Sequence, residues 1–124
     1  MTRPGQTLVL LLIFMAVAIT MTAAAVVVTI ANSQGASAYE QGAMAYQVAE
    51  GGMENALLRL LRDPGYPGET LTVGSGTATI VVTGSGPFIV TSTGTAGDFV
   101  RKIQVTAGYT NNILTVNSWN EVYQ

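Results

Sequence analysis

Apolar side chains follow three successive patterns along this chain. Residues 8–31 are apolar almost without interruption, with Thr20, Thr22 and Thr29 as the only polar positions. As a helix rising about 1.5 Å per residue, such a run reaches roughly 36 Å, enough to cross a hydrocarbon layer about 30 Å thick. The hydroxyls fit there, because each can donate to a carbonyl one turn back. From residue 32 the spacing changes. Tyr39, Ala43, Tyr46, Met53, Leu57 and Leu60 recur at steps of three, four and seven, with Glu40, Gln47, Glu50, Glu54 and Asn55 mainly on other faces. This predicts an amphipathic continuation of the same helix, from about residue 6 to residue 62. Asp63-Pro64-Gly65 stops it, and Arg59 and Arg62 in the last turn suit the negative end of the helix dipole. Gly35, Gly42, Gly51 and Gly52 mark either a local break, nearest Gly35, or close packing.

The third pattern is alternation. Segments 69–73, 77–83, 87–93, 99–107 and 113–119 read as strands, separated by Gly74-Ser75-Gly76, Gly84-Ser85-Gly86 and Asn111-Asn112. The glycine triplets lack a following helix or Lys and so read as hairpin turns, not phosphate loops. A small antiparallel sheet of this kind needs an apolar partner to be secure, and the amphipathic helix is the one available. The expected fold is α+β: one long N-terminal helix, membrane-spanning in its first half and amphipathic in its second, packed on a small antiparallel sheet.

Charge sharpens this picture. The 124 residues include 5 Lys or Arg and 7 Asp or Glu, so charged residues make up 10% of the chain and the net charge is −2. Arg3 is the only charged residue before Glu40, which favours a cytoplasmic N-terminus and an exported remainder. With His 0 and Cys 0, thiol nucleophiles, Ser-His triads, His-ligated zinc and disulfides are excluded. No basic stripe invites a nucleic acid. Residues 8–31 admit three readings: a removable signal peptide, for which the run is too long, an uncleaved single-pass anchor, or a retained assembly helix.

The third reading follows from the residues around the run. Met1-Thr2-Arg3-Pro4-Gly5, then Gln6-Thr7 and the apolar stretch, resemble the class III signal of type IV pilins. Residues 45–57 (AYQVAEGGMENAL) resemble the A-[FY]-x-x-A-E-x-G-x-x-x-A pattern of accessory pilins with a PilX-type N-terminus. A Ser92-Thr93-Gly94 turn followed by Arg101 within a strand is a third similarity. The resemblance implies a leader over 1–5, a transmembrane and filament-core helix over 6–31, its amphipathic continuation over 32–63, and a sheet head over 64–124. It implies cleavage by a prepilin peptidase between Gly5 and Gln6, N-methylation of Gln6, and assembly through the helix bearing Leu8, Leu10, Leu12, Phe14, Val17 and Val27. The implied partners are other pilin subunits, the inner-membrane assembly machinery and, before assembly, lipid; no cofactor is implied. The implied location is the inner membrane, then a surface filament. Main pilins carry Glu at the fifth residue after the cut, where this chain has Leu10. That departure favours an accessory subunit over the main one. The alternative is a single-pass membrane protein with an exported binding head that never polymerises.

No residue set points to an enzyme. Glu50 and Glu54 stand one turn apart but read as a solvated helix face, and Asp63, Glu69 and Asp98 read as isolated. Alternation puts Arg101 on the same side of its strand as Phe99, Ile103 and Val105. There it either pairs with Glu50 or Glu54 on the backing helix or lies at a frayed strand end. Trp119 and Tyr123 suit packing or a subunit contact equally.

Overall fold

The computed structural model describes residues 3–123, so Met1 and Thr2 of the expected leader lie outside the described residues. Helix α1 (Pro4–Arg62) is followed by β1 (Thr70–Val73), β2 (Gly76–Thr83), β3 (Phe88–Ala96), β4 (Phe99–Thr110) and β5 (Ile113–Val122). The expected α+β fold is thus present. Pro4 occupies the first helical position, where its missing N–H costs nothing and its ring presets the backbone. Gly35 lies inside α1 without interrupting it.

The chain divides into two compact units, Met1–Ala38 and Tyr39–Gln124. In the first, every described residue is exposed. The threonine hydroxyls donate back along the helix, Thr20 to the Val17 carbonyl at 2.8 Å, Thr22 to Ala18 at 2.8 Å and Thr29 to Ala25 at 2.9 Å. That satisfies each hydroxyl without breaking the helix.

In the second unit the strands form one antiparallel sheet in the order β1-β2-β3-β4-β5, so each strand lies beside its sequence neighbours. Hairpin ends are set by backbone that turns left-handed: Gly74 (φ 59) closes β1–β2, Gly97 (φ 56) closes β3–β4, and Asn111 (φ 52) with Asn112 (φ 64) closes β4–β5. The asparagine pair suits the tight turn whose twist matches that of the flanking strands. Ser92, Thr93 and Gly94 are not a turn, as the sequence suggested; they continue β3, and the β3–β4 turn falls at Gly97-Asp98.

The core is Met53, Ala56, Leu60 and Tyr66 against Ile80, Phe88, Val90, Ile103, Val105 and Ala107. Of the residues expected to face the sheet, Met53 and Leu60 are in the core and Tyr46 and Leu57 pack against it, but Tyr39 and Ala43 do not. Gly42, Ala45, Val48, Ala49, Gly52, Met53, Ala56 and Leu60 are buried, whereas Tyr39 is 82% exposed and Ala43 is exposed. Small residues win because the backbones come close. A Cβ on Gly52 would stand 2.6 Å from the Ala78 Cβ and 2.7 Å from the Ser92 Oγ. The fully buried Ser92 hydroxyl donates to the Ala49 carbonyl at 2.7 Å and ties β3 to the helix. The sheet's other face carries threonines in facing rows, such as Thr70–Thr79–Thr93 and Thr72–Thr77–Thr95.

Candidate functional site

Gly5 and Gln6, the residues of the expected cut, lie in the first turn of α1, where the Gln6 N–H donates to the Arg3 carbonyl at 2.9 Å. Nothing lies within 4 Å of the position a Cβ on Gly5 would take. Beyond them Leu8, Leu10, Leu12, Phe14, Val17 and Val27 are all open, from 49% exposed at Val17 to 72% at Leu10. These positions fall at many angles around the helix, and Val9, Leu11, Ile13 and Ile19 fill the gaps between them. The segment therefore has no polar face to turn to water. A helix apolar all round is stable only when lipid or other helices surround it. By length and composition α1 is a candidate membrane span, and the window that qualifies is 0% buried by the chain itself.

In the second unit the expected pairing of Arg101 with Glu50 or Glu54 does not form. Arg101 does face the helix, but its Nη2 lies at Gly42, about two turns before Glu50. Its Nη1 donates to the Glu121 Oε1 of β5 at 2.6 Å. Register explains the choice, since Ile103 pairs with Glu121 and Arg101 is therefore its diagonal neighbour on the same face. The hydrogen bond and charge of Glu121 favour the charged guanidinium and push its pKa up. The Tyr123 hydroxyl donates to the other Glu121 oxygen at 3.2 Å. In a double-mutant cycle read by denaturant unfolding, Arg101→Ala and Glu121→Ala are expected to be non-additive. Arg101→Ala with Glu54→Ala is expected to be additive.

Sequence reasoning missed a second cluster. Glu69 is not isolated: its Oε1 meets the Arg59 Nε at 2.8 Å and accepts from the Tyr66 hydroxyl at 3.0 Å. The Arg59 Nε is shared with the Asn55 Oδ1 at 3.0 Å, and the guanidinium carbon lies 5.7 Å from the Tyr66 ring centroid. The Asn55-to-Arg59 spacing of one helical turn was a readable signal; the loop that brings Tyr66 and Glu69 back onto the helix was not. Burial, then the Glu69 carboxylate, push the Tyr66 hydroxyl from 10.0 up to about 12. The folded chain thus keeps a proton that the unfolded chain loses above its own pKa. Stability from this group is complete below pH 10.0 and falls as pH rises towards about 12. Tyr66→Phe is expected to remove that alkaline slope, measured as denaturant midpoints on either side of the window.

Among the described residues no group of three His, Cys, Asp or Glu could hold a metal ion. No family model, curated protein or solved structure matches this chain. Its distinctive features are a bare apolar helix segment and a head whose ion pairs tie strand to strand and loop to helix.

Proposed function

We propose that the chain is a structural subunit, of the accessory type, of a type IV pilus or related pseudopilus. One observation carries this reading: residues 8–31 of α1 are apolar on every side and uncovered, while residues 39–62 of the same helix back a five-strand antiparallel sheet. A segment with no polar face needs other apolar matter around it for the life of the protein. Lipid supplies that before assembly, and the helices of sister subunits supply it afterwards. The exchange is roughly even in energy, since lipid tails are as apolar as Leu, so extraction requires an energy-driven machine.

Arg3 ahead of the span sets the N-terminus on the cytoplasmic side and the sheet outside. The sequence motifs add the processing step: cleavage between Gly5 and Gln6 and methylation of the new amino group. Leu10 leaves no carboxylate to pair with a neighbour's terminal amine, which suits an accessory role. No catalytic step is assigned to the head.

Co-expression with an active prepilin peptidase tests the proposal by intact mass. Loss of residues 1–5 with a methyl group on Gln6, and recovery of the chain in sheared fibres, is the expected result. An unprocessed N-terminus beside active peptidase and fibres free of the chain would instead identify a single-pass protein that does not polymerise.

A further inference from the structure

The triplet A-x-A, which peptidases that trim exported chains read beyond an apolar run, occurs four times: Ala16-Val17-Ala18, Ala23-Ala24-Ala25, Ala36-Ser37-Ala38 and Ala43-Met44-Ala45. Their surroundings separate them. The first two lie inside the candidate membrane span, where lipid covers them. In the fourth, Ala45 is 0% exposed and its carbonyl lies against Gly94 of β3. The third follows the apolar run after Asn32-Ser33-Gln34-Gly35 and is open, as is every residue from 31 to 40.

Ala38 is also the last residue of the first compact unit. Every buried residue among the described ones lies at Gly42 or beyond, so residues 39–124 carry the whole core. Residues 32–38 are helical but bury nothing, and Asn32, Ser33, Gly35 and Ser37 are weak helix formers. Opening a turn here disturbs no packing. In the extended form that a protease cleft binds, Ala36 and Ala38 point to one side and Ser37 to the other.

We propose that Ala36-Ser37-Ala38 is a processing site distinct from Gly5, at which a peptidase of the signal-peptidase type cuts the Ala38–Tyr39 bond and frees residues 39–124 from the membrane. Water adds across the amide, leaving a carboxylate on Ala38 and an amine on Tyr39. Two small pockets of the enzyme take the Ala36 and Ala38 methyls. After the cut Glu40 stands in the first turn of the shortened helix, where the dipole favours a negative charge. The apolar run exceeds the roughly 7–15 residues of a signal removed during export, so the anchored chain persists and the cut acts on the folded protein. The proposal needs only an anchored chain with its head outside, and holds whether or not the chain polymerises. In a fibre, neighbouring helices would shield the bond, so the freed head would come from unassembled chains.

The test is the full chain reconstituted in phospholipid vesicles with a purified bacterial signal peptidase, read by intact mass. A soluble fragment of residues 39–124 is expected. Ala36→Leu and Ala38→Leu are each expected to lower its yield about tenfold or more, and Ser37→Leu to leave it unchanged. All three positions are exposed, and Leu is close to Ala in helix propensity, so the contrast reads pocket fit and not helix stiffness. No fragment beginning at Tyr39, beside an enzyme that trims a control precursor, would overturn the proposal; so would a fragment whose yield survives Ala38→Leu. The membrane-bound remainder reports on Gly5 separately. With prepilin peptidase also present it begins at Gln6 if that cut occurs and at Met1 if it does not, so either reading can fail without the other.

Discussion

Gly94→Ala is expected to be strongly damaging to the seating of the helix on the sheet. A Cβ at this position would collide with the Ala45 carbonyl and the Ala49 nitrogen, and would stand 2.9 Å from the Ala49 Cα. All three obstacles are helix backbone, so no side chain can swing aside. The helix has to lift from β3, which stretches the Ser92-to-Ala49 hydrogen bond and loosens Met53, Ala56 and Leu60 from the sheet. Overpacking of this kind costs about 3 kcal/mol or more where the surroundings cannot yield. The measurement is guanidinium unfolding of the full chain in detergent, followed by Trp119 fluorescence. Gly35→Ala is the control. Nothing lies within 4 Å of its added methyl, and the change is expected to be neutral or to stabilise the helix by up to about 1 kcal/mol. Equal midpoints for Gly94→Ala and the unaltered chain would show that the helix does not seat on β3 at this glycine.

The second large effect separates two adjacent leucines. Leu60 is 0% exposed within the core, and Leu61 is 43% exposed. Leu60→Ala is expected to cost about 2–5 kcal/mol, the transfer of the lost methyls plus the cavity they leave. Leu61→Ala and Tyr39→Ala are expected to stay within about 0.5 kcal/mol. The same fluorescence titration reads all three. A large loss at Tyr39 would return that residue to the packed face, where the sequence pattern put it.

The two misplaced positions of the helix face, Tyr39 and Ala43, show which part of the fold was legible. Strand alternation and turn chemistry are local properties, so all five strands and their meander order could be read directly, short only at ends such as 94–96 of β3 and 120–122 of β5. Helix extent was equally local. The contact between helix and sheet is not, because a hydrophobicity pattern gives weight to Tyr39 and none to Gly42 or Gly52, whereas close approach rewards the residues with the least side chain. Gly94 was misread for the same reason. After Ser92 and Thr93 it signals a turn, yet here its missing Cβ admits the helix. Arg101 was placed on the correct face and given the wrong partner, since Glu121 becomes its diagonal neighbour only once the β4–β5 register, with its irregularity between Thr106 and Ala107, is known. Of the candidate site, the bare apolar segment was fully legible. The Arg59–Glu69–Tyr66 cluster was not, because it depends on how a loop returns.

The threonine-bearing side of the sheet has one more consequence. Lys102 is the sole ionic group among the strand residues that point that way, the remainder being hydroxyls, amides and a few aliphatic groups such as Val81 and Ile89. With almost nothing for dissolved ions to screen, whatever touches or slides past this side should do so alike in fresh water and in brine.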